Sequence, residues 1–403
     1  MKRYNYEAKD QATGKTVKAS VQADSEQAAA KVLIAQGFTP HSISEANESD
    51  SIFAKITGRI TTKDKVTFTR QLATLIGAGL PLAQSLHTVQ GQTANKQLQA
   101  VIDDIISSVE GGKSLYDSFS KHPKVFSNVF LALVKAGEAS GTLDEALVRI
   151  AAQQEKDAAM MSKIRGAMVY PVIVLTVIMG VVVFMLLTVV PQVEKLYEDL
   201  GQNLPWITQI MVSTADFMLG FWWVVLLIFG ATVYFARQYF ATEDGIKLKD
   251  SLKLNMPMFG GMFRKLYMAR LARTGQTLLN TGVPMLDMLK ITSQAINNVA
   301  VAKSINRAAD KVKGGKALSV SLTDEDYILP FVPQMINIGE QSGKIDEMMG
   351  KAAEVYENEL DEEIKSISTA IEPILMVVLA VVAGGLVGAI LMPIYGLVGN
   401  INL

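Results

Sequence analysis

The chain has 403 residues, room for two or three domains, and only 19% are charged, below the ~25% of soluble domains, while 49% are hydrophobic. A net charge of −1 offers no electrostatic basis for a nucleic-acid partner. Cysteine is absent, which excludes disulfides, thiolate catalysis and cysteine-ligated metal sites, and the three histidines (His41, His87 and His122) lack the spacing of a metal site.

Residues 1–45 read as a small α+β unit. Tyr4, Tyr6 and Ala8 alternate with polar residues, Asp10 to Gly14 form a turn, and Lys15 to Val21 suit a second strand. Asp24 and Ser25 open an alanine-rich helix that Gly37 closes. Lys2 and Arg3 are followed by Asn5, Glu7, Lys9 and Asp10, not by the apolar core of a signal peptide. Residues 46–61 read as a polar linker.

From Thr62 the pattern turns helical. Phe68, Leu72, Leu75 and Ile76 share one face, Gly77 and Gly79 stop that helix, and Pro81 starts the next. Leu98, Val101, Ile102, Ile105, Ile106 and Val109 form a second stripe, closed by Gly111 and Gly112. Phe126, Val129, Phe130, Leu133 and Val134 form a third. Residues 62–165 are therefore expected to be a helical domain of five or six helices.

This domain recurs about 203 residues later. Gly79-Leu80-Pro81-Leu82 returns as Gly282-Val283-Pro284-Met285. Gly137-Glu138-Ala139-Ser140-Gly141-Thr142-Leu143-Asp144-Glu145 returns as Gly339-Glu340-Gln341-Ser342-Gly343-Lys344-Ile345-Asp346-Glu347. The second copy is expected over 263–371.

Three runs carry no charge: Gly166 to Val193, Phe217 to Ala236, and Pro373 to the end. About 20 helical residues cross a bilayer, and only helices can do so without orphaned backbone groups in such a chain. Transmembrane helices are expected over 166–193, 217–236 and 372–395, with Pro171 and Pro373 kinking or starting two of them. Residues 194–216 hold a single basic residue, Lys195, whereas Lys156, Lys163 and Arg165 precede the first span and Arg237, Lys247, Lys249 and Lys253 follow the second. Basic flanks stay in the cytoplasm. Both copies and the 237–262 connection are thus expected inside, and the 194–216 loop and residues 396–403 outside. The expected fold is an all-α membrane protein of two homologous cytoplasmic helical bundles and three spans, with the small α+β unit at its start.

No catalytic or cofactor site emerges. Gly112-Lys113-Ser114 resembles the tail of a phosphate loop, but Ser107 stands where that loop needs glycine, and Ala317 replaces the hydroxyl in the second copy. The Gly-Glu-x-Ser-Gly motif is more specific. Thr142 to Glu145 fits a capping box, and Asp144, Asp346 and Glu347 suit a helix start. Glu138 and Glu340 sit in a last turn, where an acid opposes the helix dipole, so each needs a partner: a backbone nest, an arginine, a weakly held cation or another protein. Arg70 and Arg273 correspond between copies and are natural candidates for that pairing. In the third span Ala380, Gly384 and Gly388 recur every four residues and allow close helix packing, within the chain or between chains. No ionisable residue lies inside a span, which argues against an ion pathway.

Tyr4-Asn5-Tyr6-Glu7-Ala8-Lys9-Asp10 with Gly14, the run Phe68-Thr69-Arg70-Gln71-Leu72-Ala73-Thr74-Leu75-Ile76 with Ala78-Gly79-Leu80-Pro81-Leu82, and Ala136-Gly137-Glu138 with Gly141 together resemble the PilC/GspF family. Those are inner-membrane platform proteins of type IV pili and type II secretion systems, and Arg70 to Ala73 is similar to the pilus branch. The resemblance implies a non-enzymatic, cofactor-free homo-oligomer. It implies docking to a hexameric assembly ATPase, with a retraction ATPase as a second candidate motor. It also implies contact with pilin subunits and other inner-membrane components. Arg273-Thr274-Gly275-Gln276 departs from the first copy's motif, so the two bundles are not expected to bind one surface alike.

Overall fold

The computed structural model describes residues 2–10, 16–23, 30, 38–45, 59–199 and 206–400. At the start, β1 (Lys2–Asp10), β2 (Thr16–Ala23) and β3 (Phe38–Glu45) form an antiparallel sheet in the order β2-β1-β3. The expected hairpin is present, with Tyr4 opposite Val21 and Lys9 opposite Thr16. The third strand departs from the sequence reading. Pro40 weakens its strand signal, yet proline is tolerated on an edge strand, and β3 shifts register between Glu7 and Ala8, where Ala8 lies opposite Pro40. The expected helix over 24–37 and nearly all of the linker lie outside the described residues.

The first bundle is built from α1 (Thr62–Gly77), α2 (Leu82–Gln92), α3 (Lys96–Glu110), α4 (Leu115–Ser120), α5 (Asn128–Ser140) and the start of α6 (Leu143–Phe184). Thr61 and Asp64 close a capping box at its entrance: the Asp64 amide donates to Thr61 Oγ1 at 3.2 Å and the Thr61 amide to Asp64 Oδ2 at 2.8 Å. The three apolar stripes meet in the centre. Phe119 stacks edge-on against Phe126 and Phe130, with ring centroids 4.5 Å and 4.9 Å away, and Phe68 joins them.

The second bundle repeats the plan with α11 (Gly260–Asn280), α12 (Met285–Ala295), α13 (Val299–Lys313), α14 (Leu318–Thr323), α15 (Phe331–Ser342) and the start of α16 (Ile345–Asn400). At three positions it replaces an aromatic by an aliphatic side chain: Leu271, Leu322 and Leu329 stand where Phe68, Phe119 and Phe126 stand. One continuous core runs through both bundles.

The long helices carry the bundles into the apolar region. After Phe184, α6 passes through a π-helical turn, Met185–Val189, into α7 (Val190–Asp199). The chain returns through α8 (Trp206–Gly220) and α9 (Trp222–Tyr239), then bends by 96° into α10 (Glu243–Asn255). The segment expected as a loop over 194–216 is thus helical on both sides of residues 200–205. Val190 packs on Val212 and Ala215, which joins α7 to α8. Among the described residues two helices, Leu143–Asp199 and the one beginning at Ile345, are long and apolar enough to cross a membrane, and the bent α9–α10 pair qualifies as a third if it is one span. Neither Pro171 nor Pro373 starts a helix. Both lie inside continuous ones. The hydrogen bond each lacks costs little where the surrounding turns hold the helix through it.

Candidate functional site

The repeated Gly-Glu-x-Ser-Gly motif is a packing device in both copies. A Cβ on Gly137 would stand 2.6 Å from Ala146 Cβ, and one on Gly339 would stand 2.6 Å from Ile345 Cα. Only glycine lets α5 and α15 approach the helix that follows. Gly141 and Gly343 then adopt φ of +75° and +72°, the left-handed cap that reverses the chain.

Glu138 and Glu340 do not pair with the arginines. Glu138 accepts from the amides of Leu115 and Tyr116 at 2.8 Å and 3.0 Å. Glu340 accepts from Leu318 at 2.6 Å and also binds the Ser319 hydroxyl. Each acid opposes its own helix dipole but sits on the N-terminus of α4 or α14, where negative charge is favoured. Of the partners weighed above, the backbone nest is the one observed. No group of three or more His, Asp or Glu suited to a metal occurs among the described residues.

The arginines reach the long helices instead. Arg70 clamps Glu155 bidentately, its Nε at 2.6 Å. Arg273 clamps Glu357 through two bonds of 2.8 Å. Hydrogen bonding by Arg70 holds the Glu155 carboxyl below its usual range. The Thr142 capping box is also absent. Thr142 has φ −109° and ψ 43°, not the extended cap geometry, its hydroxyl pairs with Ser140 at 2.7 Å, and Glu145 faces Arg149. Asp144, Asp346 and Glu347 stand in first turns as expected. Gly79 and Gly282, with φ of +84° and +78°, precede Pro81 and Pro284, which occupy the N-caps of α2 and α12.

The two copies are joined along their long helices. Lys156 donates to Glu357 at 3.3 Å and Lys163 to Asp361 at 2.5 Å. Glu357 therefore ties Arg273 of its own copy to Lys156 of the other. Arg149 donates to the Asn280 carbonyl at 3.1 Å, and Asn128 to Gln294 at 2.7 Å. The parallel order of these pairs sets α6 and α16 side by side, with both bundles at the same end.

Between the copies lies a cavity of about 280 Å³, walled by α5, α6, α11 and α12. Burial pushes the Asp157 carboxyl above its usual range there, against the pull of Arg270. Nothing in the sequence announced this cavity, because its polar groups come from separate helices of different copies. Ala380 and Gly384 are exposed, and a Cβ on Gly384 or Gly388 would meet open space. The buried face of that helix is the opposite one, marked by Leu375 and Leu386.

The family model for type II secretion system protein F matches residues 68–191 and 271–393, and that for its N-terminal domain matches residues 1–44. The chain is similar to the type IV pilus assembly protein PilC of Thermus thermophilus, 35% identical over 404 residues and 99% of each chain. It is similar to PilC of Pseudomonas aeruginosa, 36% identical over 84% of this chain and 90% of that one. It is also similar to the type II secretion system protein F of Aeromonas hydrophila, 33% identical over 94% of this chain and 99% of that one.

Proposed function

The chain belongs to the type II secretion system protein F family, and from that premise we propose that it is the inner-membrane platform of a type IV pilus machine. The platform couples a cytoplasmic assembly ATPase to the transfer of pilin subunits from the bilayer into a fibre. It is not an enzyme: its own residues relay mechanical work.

One observation carries this reading. Each bundle is fused without a break to a helix that continues into the apolar region, Leu143–Asp199 in one copy and from Ile345 in the other. A torque on a bundle is delivered along such a helix without a flexible joint. The paired bundles at one end support the orientation read from the basic flanks, with residues 62–165 and 263–371 in the cytoplasm and the C-terminus outside. The stripe of Ala380, Gly384 and Gly388, exposed at its first two positions, supports a lateral contact with a second copy or with a pilin helix. The motif residues Arg70, Arg273, Glu138 and Glu340 shape the bundle surface offered to the motor and do not bind it directly.

Capture of the assembly ATPase tests the proposal. The full chain in detergent is expected to retain the hexameric ATPase, and retention is expected to fall at least tenfold when exposed bundle lysines such as Lys113 and Lys316 are changed to glutamate. Unchanged retention by those variants, or ATP hydrolysis by the purified chain alone, contradicts it. The secretion-system reading, favoured by the similarity to the Aeromonas protein, is separated by whether pilin or pseudopilin crosslinks to Gly384.

A further inference from the structure

The cavity between the copies is chemically unusual for a domain interface. Four buried side-chain atoms have no hydrogen-bond partner in the chain: Gln154 Oε1, Asp157 Oδ1, Arg270 Nε and Thr292 Oγ1. All four residues line this one cavity. Buried polar atoms are nearly always satisfied, and each one left bare costs on the order of 1–3 kcal/mol. Four on one surface mean that the cavity is built to be filled by something polar.

The arrangement states what that something offers. Gln154 and Asp157 are three residues apart on α6, so their acceptors lie on one face, one turn apart. Arg270 on α11 and Thr292 on α12 supply donors from the other copy, and Thr292 is only 1% exposed. Asp157 and Arg270 feel each other's charge yet form no ion pair. Arg273, the next cation in reach, is already held by Glu357. The site is therefore neutral overall, acidic at one end and basic at the other. A lone cation gains Asp157 but meets Arg270, and a lone anion meets the reverse. A volume of about 280 Å³ far exceeds the ~10–15 Å³ of probe volume that one water needs, and sits just below the ~300 Å³ lower bound of drug-sized sites. Asp157 and Arg270 are only part-buried as whole residues, so solutes reach the cavity.

We propose that this interface cavity binds a small zwitterion of the α-amino-acid class, its ammonium held by Asp157 and Gln154 and its carboxylate by Arg270 and Thr292. Such a ligand satisfies all four atoms at once and bridges the two copies. It would favour the conformation in which they are closed on one another. The first copy has Val89 where the second has Thr292, so the site is specific to this interface and is not a repeated feature.

Titration calorimetry on the full chain in detergent tests this, with glycine as the minimal zwitterion and methylammonium and acetate as its halves. Glycine is expected to bind saturably at one site per chain, and each half at least tenfold more weakly. Asp157→Asn and Thr292→Val are each expected to weaken glycine at least tenfold. Thr292→Val copies the residue of the first bundle and keeps the test valid if Asp157→Asn does not fold. Absence of saturable glycine binding, which means a cavity filled by water alone, overturns the proposal. So does binding that Thr292→Val leaves unchanged. Neither result bears on the platform role.

Discussion

Glu138 and Glu340 show how a residue that is unfavourable in its own element becomes favourable in the next. Read along the helix, each is a carboxylate at the wrong pole of a dipole. Read across the bundle, each caps the short α4 or α14, whose six residues are too few to hold together alone. The glycine beside each acid sets the distance over which this reach works. Replacing Gly137 by alanine drives Cβ into Ala146 and is expected to destabilise the protein by about 1–3 kcal/mol. Gly91, helical and with nothing within 4 Å of a built Cβ, is the contrast. There alanine is expected to stabilise by roughly 0.5–1 kcal/mol through backbone entropy. Thermal unfolding of the two variants checks the opposite signs. Equal shifts would mean that Gly137 is not at a close contact.

Between elements, the copies keep positions but exchange chemistry. Glu325 is nearly fully buried and accepts from Arg307 and Lys311 on α13. In the first copy the acid stands on the other element, with Asp104 on α3 facing His122 at 2.8 Å. Burial alone would raise the Glu325 carboxyl, but the hydrogen bonds from Arg307 and Lys311 outweigh it and hold it below the ordinary 4.5. A carboxyl depressed on folding contributes stability that is complete above pH about 4.5 and lost as pH falls through its lower folded value. Glu325→Gln is therefore expected to cost about 1–2 kcal/mol at pH 7, where two cations lose their partner, and to flatten the acid side of the stability curve. Unfolding midpoints from pH 6 to pH 3 check this, and parallel curves for variant and parent would contradict it. Element boundaries were legible where a glycine or proline acts locally, as at Gly79-Leu80-Pro81. The partners of Arg70 and Arg273 were not, because each lies about 84 residues away on the long helix and no local pattern marks it. The continuity of α6 and α16 was also hidden, since Pro171 and Pro373 read as helix kinks or starts, and neighbouring turns carry the helix through them.

At the scale of the whole molecule, the duplication was the strongest signal in the sequence, and it predicted twin bundles and their order. It did not predict that the bundles share one core, nor the polar cavity at their seam. Shared cores arise from faces that look solvent-exposed in each copy taken alone, such as Gln153, which is only 6% exposed and lies against Thr277 of the other copy. The joint is therefore tight along Glu357 and Core residues of α6 and α11, and polar at Asp157. The proposed relay of force needs paired bundles at one end, each continuous with a long apolar helix.

The natural absence of cysteine makes that arrangement directly measurable. Single cysteines at Lys113 and Lys316, exposed and equivalent in the two copies, and at Gln202, between α7 and α8 in the sequence, can be labelled in sealed membrane vesicles with a membrane-impermeant maleimide. Lys113→Cys and Lys316→Cys are expected to react only from the cytoplasmic face and Gln202→Cys only from the opposite one. Labelling of the two bundle positions from opposite faces would contradict the account.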